Sequence, residues 1–300
     1  MPQTAVADSG TGLTLKRLAE RNGLHSAAAL PSLPAYLREI WAYRHFITAY
    51  SNAKITSSLG QTRLGMLWQV LTPMFNAAVY YVIFGLLLNT SRDVENFIPY
   101  LCIGVFLFGF TQTVTQSGIS SISGGLGLIR ALHFPRAALP ISVVLIELRN
   151  MVASMSVLII IVLATGEPLT LEWFLVAPIL LVQAMFNLGL AMLGARLGAK
   201  LLDIRQIVPF FMRVWMYGSA VLYTPARFAK MFEHHPTLLA IVESNPLLIY
   251  IELMRHALME NVTLVDPLWV LWLKAIGWAA LAFTIGFVYF WRGEKGYGRG

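Results

Sequence analysis

At least five apolar runs of bilayer-spanning length, the first from Leu64 to Leu88, limit what this chain can fold into. A hydrocarbon core about 30 Å thick is crossed by roughly 20 helical residues at about 1.5 Å each. Hydrophobic residues make up 57% of the chain and charged ones only 12%, too few charges to coat a soluble domain of this size. In hydrocarbon every backbone N–H and C=O must be paired within the protein, which leaves helices and closed barrels. These runs are continuous rather than alternating, so they read as helices. The expected fold is an all-α integral membrane protein with six transmembrane helices at about 65–89, 97–119, 137–163, 172–195, 206–223 and 268–291. Pro209 and Arg213 interrupt the fifth. The spans and their loops occupy residues 36–293 as one membrane domain. A mobile cytoplasmic tail over 1–35, rich in Ala, Gly, Ser and Thr, is expected before it, and a short cytoplasmic tail over 294–300 after it.

Charge sets the orientation. With the N-terminus inside, the cytoplasmic segments carry Lys16, Arg17, Arg38, Arg44, Arg130, Arg136, Arg196, Lys200 and Arg292 among others. The outer segments carry Arg92, Arg227, Lys230 and Arg255 beside acids that include Asp93, Glu95, Glu167, Glu172 and Glu233. The positive-inside rule then places both termini in the cytoplasm. The net charge of +7 serves inner-leaflet anchoring, because the basic residues lie on separate loops rather than in one stripe, and no nucleic-acid partner is expected. Cys102, the single cysteine, sits inside an apolar run as a small hydrophobe, which excludes an intrachain disulfide. Residues 1–35 contain no apolar core long enough for a signal peptide, so the first span is expected to direct insertion.

Before the first span, Tyr36, Ile40, Tyr43, Ile47 and Tyr50 recur along one helical face, with Arg38, His45 and Asn52 on the opposite one. Interface-seeking aromatics beside a basic face suit a helix lying flat on the inner leaflet, with Trp41 and Trp68 near the same boundary. Packing against a soluble partner is the alternative.

Between the second and third spans, Gly124-Gly125-Leu126-Gly127 is not a phosphate loop, which needs Gly-Lys followed by Ser or Thr. No lysine here follows a glycine, so ATP-driven work requires another subunit. The loop offers Leu128, Ile129, Leu132 and Phe134 as apolar knobs and Arg130, His133 and Arg136 as polar anchors, with Pro135 ending a short helix. So much apolar surface on a cytoplasmic loop points to a docking element. A turn resting on lipid headgroups is the other reading. The stretch from Leu222 to Pro267, with Pro225, Pro236 and Pro246, holds two apolar pieces too short or interrupted to span. Re-entrant helices fit it, as does a loop folded over the outer face.

Ser58-Leu-Gly-Gln-Thr-Arg-Leu-Gly-Met-Leu-Trp68, Pro73, Phe84-Gly85, His133-Phe-Pro-Arg136 with Pro140, and Asn245-Pro-Leu-Leu-Ile-Tyr250 with Arg255 appear in an order and spacing that resembles the ABC-2 type permeases of polysaccharide export, the branch that handles O-antigen, teichoic acid and galactan. The resemblance covers roughly residues 36–293, and the long Ala-rich N-terminal tail departs from it. It implies a homodimer in the bacterial inner membrane, bound to two ABC ATPase subunits that carry ATP and Mg, with no cofactor in this chain. Gly124 to Arg136 would be the coupling loop, and the region of Pro225, Pro236, Asn245, Pro246, Tyr250 and Arg255 a gate of re-entrant helices. The cargo would be a polyprenyl-linked polysaccharide sliding over aromatic rings. Candidate lining residues are Trp68, Phe75, Tyr80, Tyr81 and Phe84 in the first span and Phe210, Phe211, Trp215 and Tyr217 in the fifth, with lipid or core contact as the alternative.

Glu147, Arg149, Arg213 and Lys274 are charges at membrane depth, where charge is costly. Arg213 suits a lipid diphosphate, since a guanidinium pairs phosphate oxygens; a buried pair with Glu147 and snorkelling are the alternatives. Ala191, Gly194, Ala195, Gly198 and Ala199 allow close helix approach, within the subunit or across a dimer. A drug or small-lipid exporter of the same type stays open. A membrane glycan enzyme is disfavoured, because no Asp-Asp pair occurs and His234-His235 lack matching ligands.

Overall fold

The computed structural model describes residues 32–60, 65–87, 94–201 and 203–297, and these residues form helices without strands. Most of the expected N-terminal tail, residues 1–31, lies outside the described residues, as do 298–300. From Leu33 the chain is already helical: α1 (Leu33–Ala42) and α2 (Arg44–Gly60) meet at a turn on Tyr43. There follow α3 (Gly65–Tyr80), α4 (Phe97–Gly124), α5 (Leu126–Ala131), α6 (Ala138–Ala164), α7 (Val176–Lys200) and α8 (Ile204–Tyr217). The chain ends with α9 (Ala226–Met231), α10 (Pro236–Glu243), α11 (Pro246–Leu258) and α12 (Leu268–Trp291).

Four helices among the described residues are long and apolar enough to cross a bilayer: α4, α6, α7 with the 3-10 turn Leu171–Leu175 before it, and α12. Each begins within one residue of its expected start. The first and third run beyond their expected ends at 119 and 195, to Gly124 and Lys200, because the apolar packing of Ile122 and of Gly198 continues there. The pair α10 and α11, bent by 63°, would make a fifth span. The expected fifth span, 206–223, is instead the 14-residue α8 followed by irregular chain. At about 1.5 Å per residue α8 is too short to cross the core alone. The expected first span is α3, which holds Pro73 and widens into a π-helix over Tyr81–Leu87.

The core is built around α4. Ile103, Leu107 and Val114 are fully buried, and α3, α6, α7, α8 and α11 all pack on this helix. Small residues bring α7 against it: a Cβ on Gly118 would lie 2.8 Å from the Ala191 backbone, and Gly194 and Gly198 sit against Ile119. The small-residue stripe therefore serves packing within the subunit, apart from Ala199, which is exposed. On the other side of α7, Gly189 meets the backbone of Gly286 and Ala282 on α12.

A second cluster lies at the α5 end of the bundle, where Tyr36 and Ile47 join Ile122, Phe134, Leu139, Phe287, Phe290 and Tyr297. The apolar stripe of α1 and α2 is turned onto the chain's own helix ends. Periodicity predicts that such a face is buried without saying against what. Gly118→Val is expected to cost about 1–3 kcal/mol through overpacking and to lower the thermal midpoint in detergent. Gly277→Ala, whose new methyl meets open space, should leave that midpoint unchanged or raise it.

Candidate functional site

At the turn from α4 into α5 a Cβ on Gly125 would meet the tip of the Leu139 side chain at 2.7 Å and the Ser121 carbonyl at 3.0 Å. Gly124 has open space around it. The residues expected as knobs then divide. Leu128 and Ile129 are half-buried on the second cluster and Phe134 is buried, its ring 5.0 Å from Phe46. Arg130, Leu132 and His133 face outward, with Leu132 50% exposed. Tyr43 Oη donates to the His133 carbonyl at 3.1 Å, holding the loop to the N-terminal helices.

Arg136 ends the loop on Glu294. Glu294 Oε1 accepts from the Arg136 backbone N–H at 2.9 Å and from its guanidinium at 3.5 Å, while Oε2 accepts from Tyr36 Oη at 2.7 Å. Burial pushes the Glu294 carboxyl above the usual carboxylate range, opposed by these donors. Burial also raises the Tyr36 phenol, and the Glu294 charge beside it adds to that. Glu294 and Tyr297 are both buried, so the segment expected as a tail from residue 294 is part of the packed structure up to Tyr297.

At the opposite end of the bundle Asn245 is a joint. It caps α11 by accepting from the Leu247 N–H at 3.1 Å, accepts from Trp215 Nε1 at 2.9 Å, and donates to the Gly218 carbonyl at 2.8 Å. Pro225 precedes α9, while Pro236 and Pro246 open α10 and α11, positions where a missing N–H costs little. Tyr250 and Arg255, grouped by sequence with the gate, are anchors in the core. Tyr250 Oη donates to the Ala275 carbonyl at 2.9 Å. Arg255, counted by position among the outer charges, is only 1% exposed. Its guanidinium donates to the carbonyls of Tyr100 at 3.1 Å, Ala220 at 3.1 Å and Val221 at 3.1 Å, and lies 3.3 Å from the Tyr100 ring centre. Ala220 has φ +50°, an uncommon conformation for a residue with a side chain, and Arg255 holds the turn that contains it. A cavity of about 800 Å³ opens beside α9, between Asn96, Glu167, Thr224, Lys230 and Glu260.

The expected aromatic residues fall on two neighbouring helices, α3 and α8, joined where Tyr80 Oη meets Met216 Sδ at 3.7 Å. Trp68, Phe75, Phe210, Phe211 and Tyr217 are exposed, Phe210 at 68%, while Tyr80, Tyr81, Phe84 and Trp215 are half-buried. Arg213 is exposed on the same face of α8, within electrostatic reach of Tyr80. The pair with Glu147 is not formed among the described residues: Glu147 accepts from Asn150 at 3.1 Å. Arg149 donates to Asn52, and Lys274 pairs with Asp266 at 2.5 Å.

Most of the sequence that builds this bundle is matched by a known family: the model described as ABC-2 type transporter covers residues 47–259. The chain belongs to the ABC-2 type transporter family. It is therefore a multi-pass membrane transport protein. It is similar to the O-antigen export system permease protein RfbA of Myxococcus xanthus, 27% identical over 187 residues, which is 62% of this chain and 71% of that protein. RfbA of Klebsiella pneumoniae is 22% identical over 195 residues, 63% of this chain and 74% of its own. The polysialic acid transport protein KpsM of Escherichia coli is 22% identical over 216 residues, 69% of this chain and 79% of its own.

Two features of this ABC-2 transporter escape a reading of its sequence. Glu294 carries a weak signal, as an acid among Arg292, Lys295 and Arg299. Gln183, which donates to the Leu107 carbonyl and to Thr111 Oγ1, carries a stronger one, an amide inside an apolar run. For Arg255 the expectation is quantitative. Arg255→Met leaves three carbonyls without their donor and should destabilise the transporter by about 3–5 kcal/mol. Arg255→Lys, lacking the planar fork, should recover only part of that loss in thermal unfolding.

Proposed function

We propose that this chain is the membrane-spanning subunit of an ATP-driven exporter that moves a polyprenyl-diphosphate-linked polysaccharide from the cytoplasm across the bacterial inner membrane. Family membership and the names of its relatives, which export O-antigen and polysialic acid, support the reading. The observation that carries it is the short helix α5 and the turn after it, where Leu132 and His133 are exposed. Two ABC ATPases, which hold ATP and Mg, dock there on a homodimer of this chain. Both termini face the cytoplasm. Six spans result when α3, and α8 with the irregular chain after it completing the crossing, are counted beside α4, α6, α7 and α12.

The exposed aromatic faces of α3 and α8 are covered by the second copy and form the path with it. Trp68, Phe75, Tyr80, Tyr81, Phe84, Phe210, Phe211, Trp215 and Tyr217 offer ring faces on which sugars slide by weak repeated contacts. Arg213, exposed among them, pairs the lipid diphosphate. Helices α9 and α10, held by Asn245 and by the anchors Tyr250 and Arg255, form the outer gate.

Purification together with the ABC ATPase encoded beside the gene tests this reading. The wild type is expected to retain the ATPase, and Leu132→Asp to lose it or to cut ATP hydrolysis by roughly tenfold, as when a charge enters an apolar contact. Ile129→Asp is the poorer probe, since Ile129 is half-buried against the chain itself. A wild-type chain that binds no ATPase would overturn the exporter.

A further inference from the structure

The cytoplasmic end holds a buried polar joint whose three parts are far apart in sequence. Tyr36 on α1 is 1% exposed and Glu294, just past α12, is 6% exposed. Their hydrogen bond links residues 258 positions apart, and the same carboxylate takes the Arg136 N–H where the loop after α5 ends. Tyr36 Oη also accepts from the Ala137 N–H at 3.3 Å, so the loop's last arm is bound to both partners. Glu294 cannot swing away alone. Tyr297 packs on Phe290 at 4.7 Å between ring centres and donates to the Phe290 carbonyl at 3.1 Å, while Tyr36 lies 5.9 Å from Phe287. The loop's first arm differs: it leaves α4 through Gly124, with open space around it, and Arg205 of α8 meets Ser123 there in an exposed contact.

An apolar contact would hold these segments together while allowing them to slide. A buried carboxylate with three donors does not, because displacement leaves a charge and several N–H and O–H groups unpaired away from water. We infer that Glu294 and Tyr36 are positioning residues that lock the second arm of the α5 loop to α1 and to the end of α12, so that a push on α5 moves all three as one body. This rests on the reading that α5 receives the ATPase. It assigns to α1 the task of carrying the motion to the membrane surface, and to the chain past α12 a part in coupling.

The test uses the full complex with its ATPase in lipid vesicles. Glu294→Gln, Tyr36→Phe and the double variant are compared for ATPase retention, ATP hydrolysis and polysaccharide exported per ATP. Hydrogen–deuterium exchange over residues 33–42 and 126–137 is followed on adding ATP. Each single variant is expected to keep the ATPase and to hydrolyse ATP within about twofold of wild type, while export per ATP falls by roughly fivefold or more. The double variant should lose less than the sum of the two single losses, since both act on the shared Tyr36–Glu294 bond. In the wild type the two segments should change exchange together; in the variants only 126–137 should respond. Wild-type export per ATP in both single variants would overturn the lock, and so would wild-type segments that respond separately, an arm that needs no variant to fold. A wild type that retains no ATPase would instead overturn the exporter reading beneath it.

Discussion

A guanidinium buried against backbone carbonyls is the contact on which the chain between α8 and α9 depends. Between α8 and α9 the chain leaves helical geometry, and carbonyls freed there must be paired inside the protein. Arg255 meets two of them, at Ala220 and Val221, and with the same fork takes the Tyr100 carbonyl in the first turn of the central helix. One side chain on α11 thus ties the irregular turn to the central helix α4. A Cβ on Gly104 would lie 3.0 Å from its Nη2, so the small residue on α4 belongs to the same arrangement. Without the guanidinium, irregular backbone at that position would have neither water nor donor.

The two ends of the bundle are built on opposite principles. Near Arg255 and Asn245, hydrogen bonds hold broken helices that leave α9 and α10 on the surface, with a cavity beside them. Near Glu294, a compact cluster holds a short helix in place and leaves Leu132, just past it, exposed. Between the two ends, α4, α7 and α12 pack through glycine and alanine so closely that they act as a rigid post, while α3 and α8 keep large apolar side chains exposed along one face.

The parts that could be read from sequence are those set by solvent alone. Long apolar runs report lipid, and α4, α6, α7 and α12 begin where those runs do. The parts that could not be read depend on a partner elsewhere in the chain. Tyr36 and Ile47 mark a buried face, but nothing local names Phe134 and Phe287 as what covers it. Arg255 looks like an outer charge until α11 is folded back against Tyr100. Residues 206–223 read as one apolar span, yet the turn at Gly218 ends a 14-residue helix that holds Pro209 inside it. In the loop the sequence offers Leu128, Ile129, Leu132 and Phe134 alike as knobs, and their division into inward Phe134 and outward Leu132 needed the neighbouring α2.

The central claim is that this chain moves a lipid-linked polysaccharide with energy drawn from a separate ATPase, and transport itself tests it most directly. The chain and its cognate ATPase would be reconstituted into sealed vesicles loaded with a polyprenyl-diphosphate-linked glycan, and glycan reaching the opposite leaflet would be measured with and without ATP. The account predicts ATP-dependent appearance of the intact polymer that requires both proteins. Transfer without ATP, or ATP-driven movement of small lipids while the glycan stays in place, would contradict it.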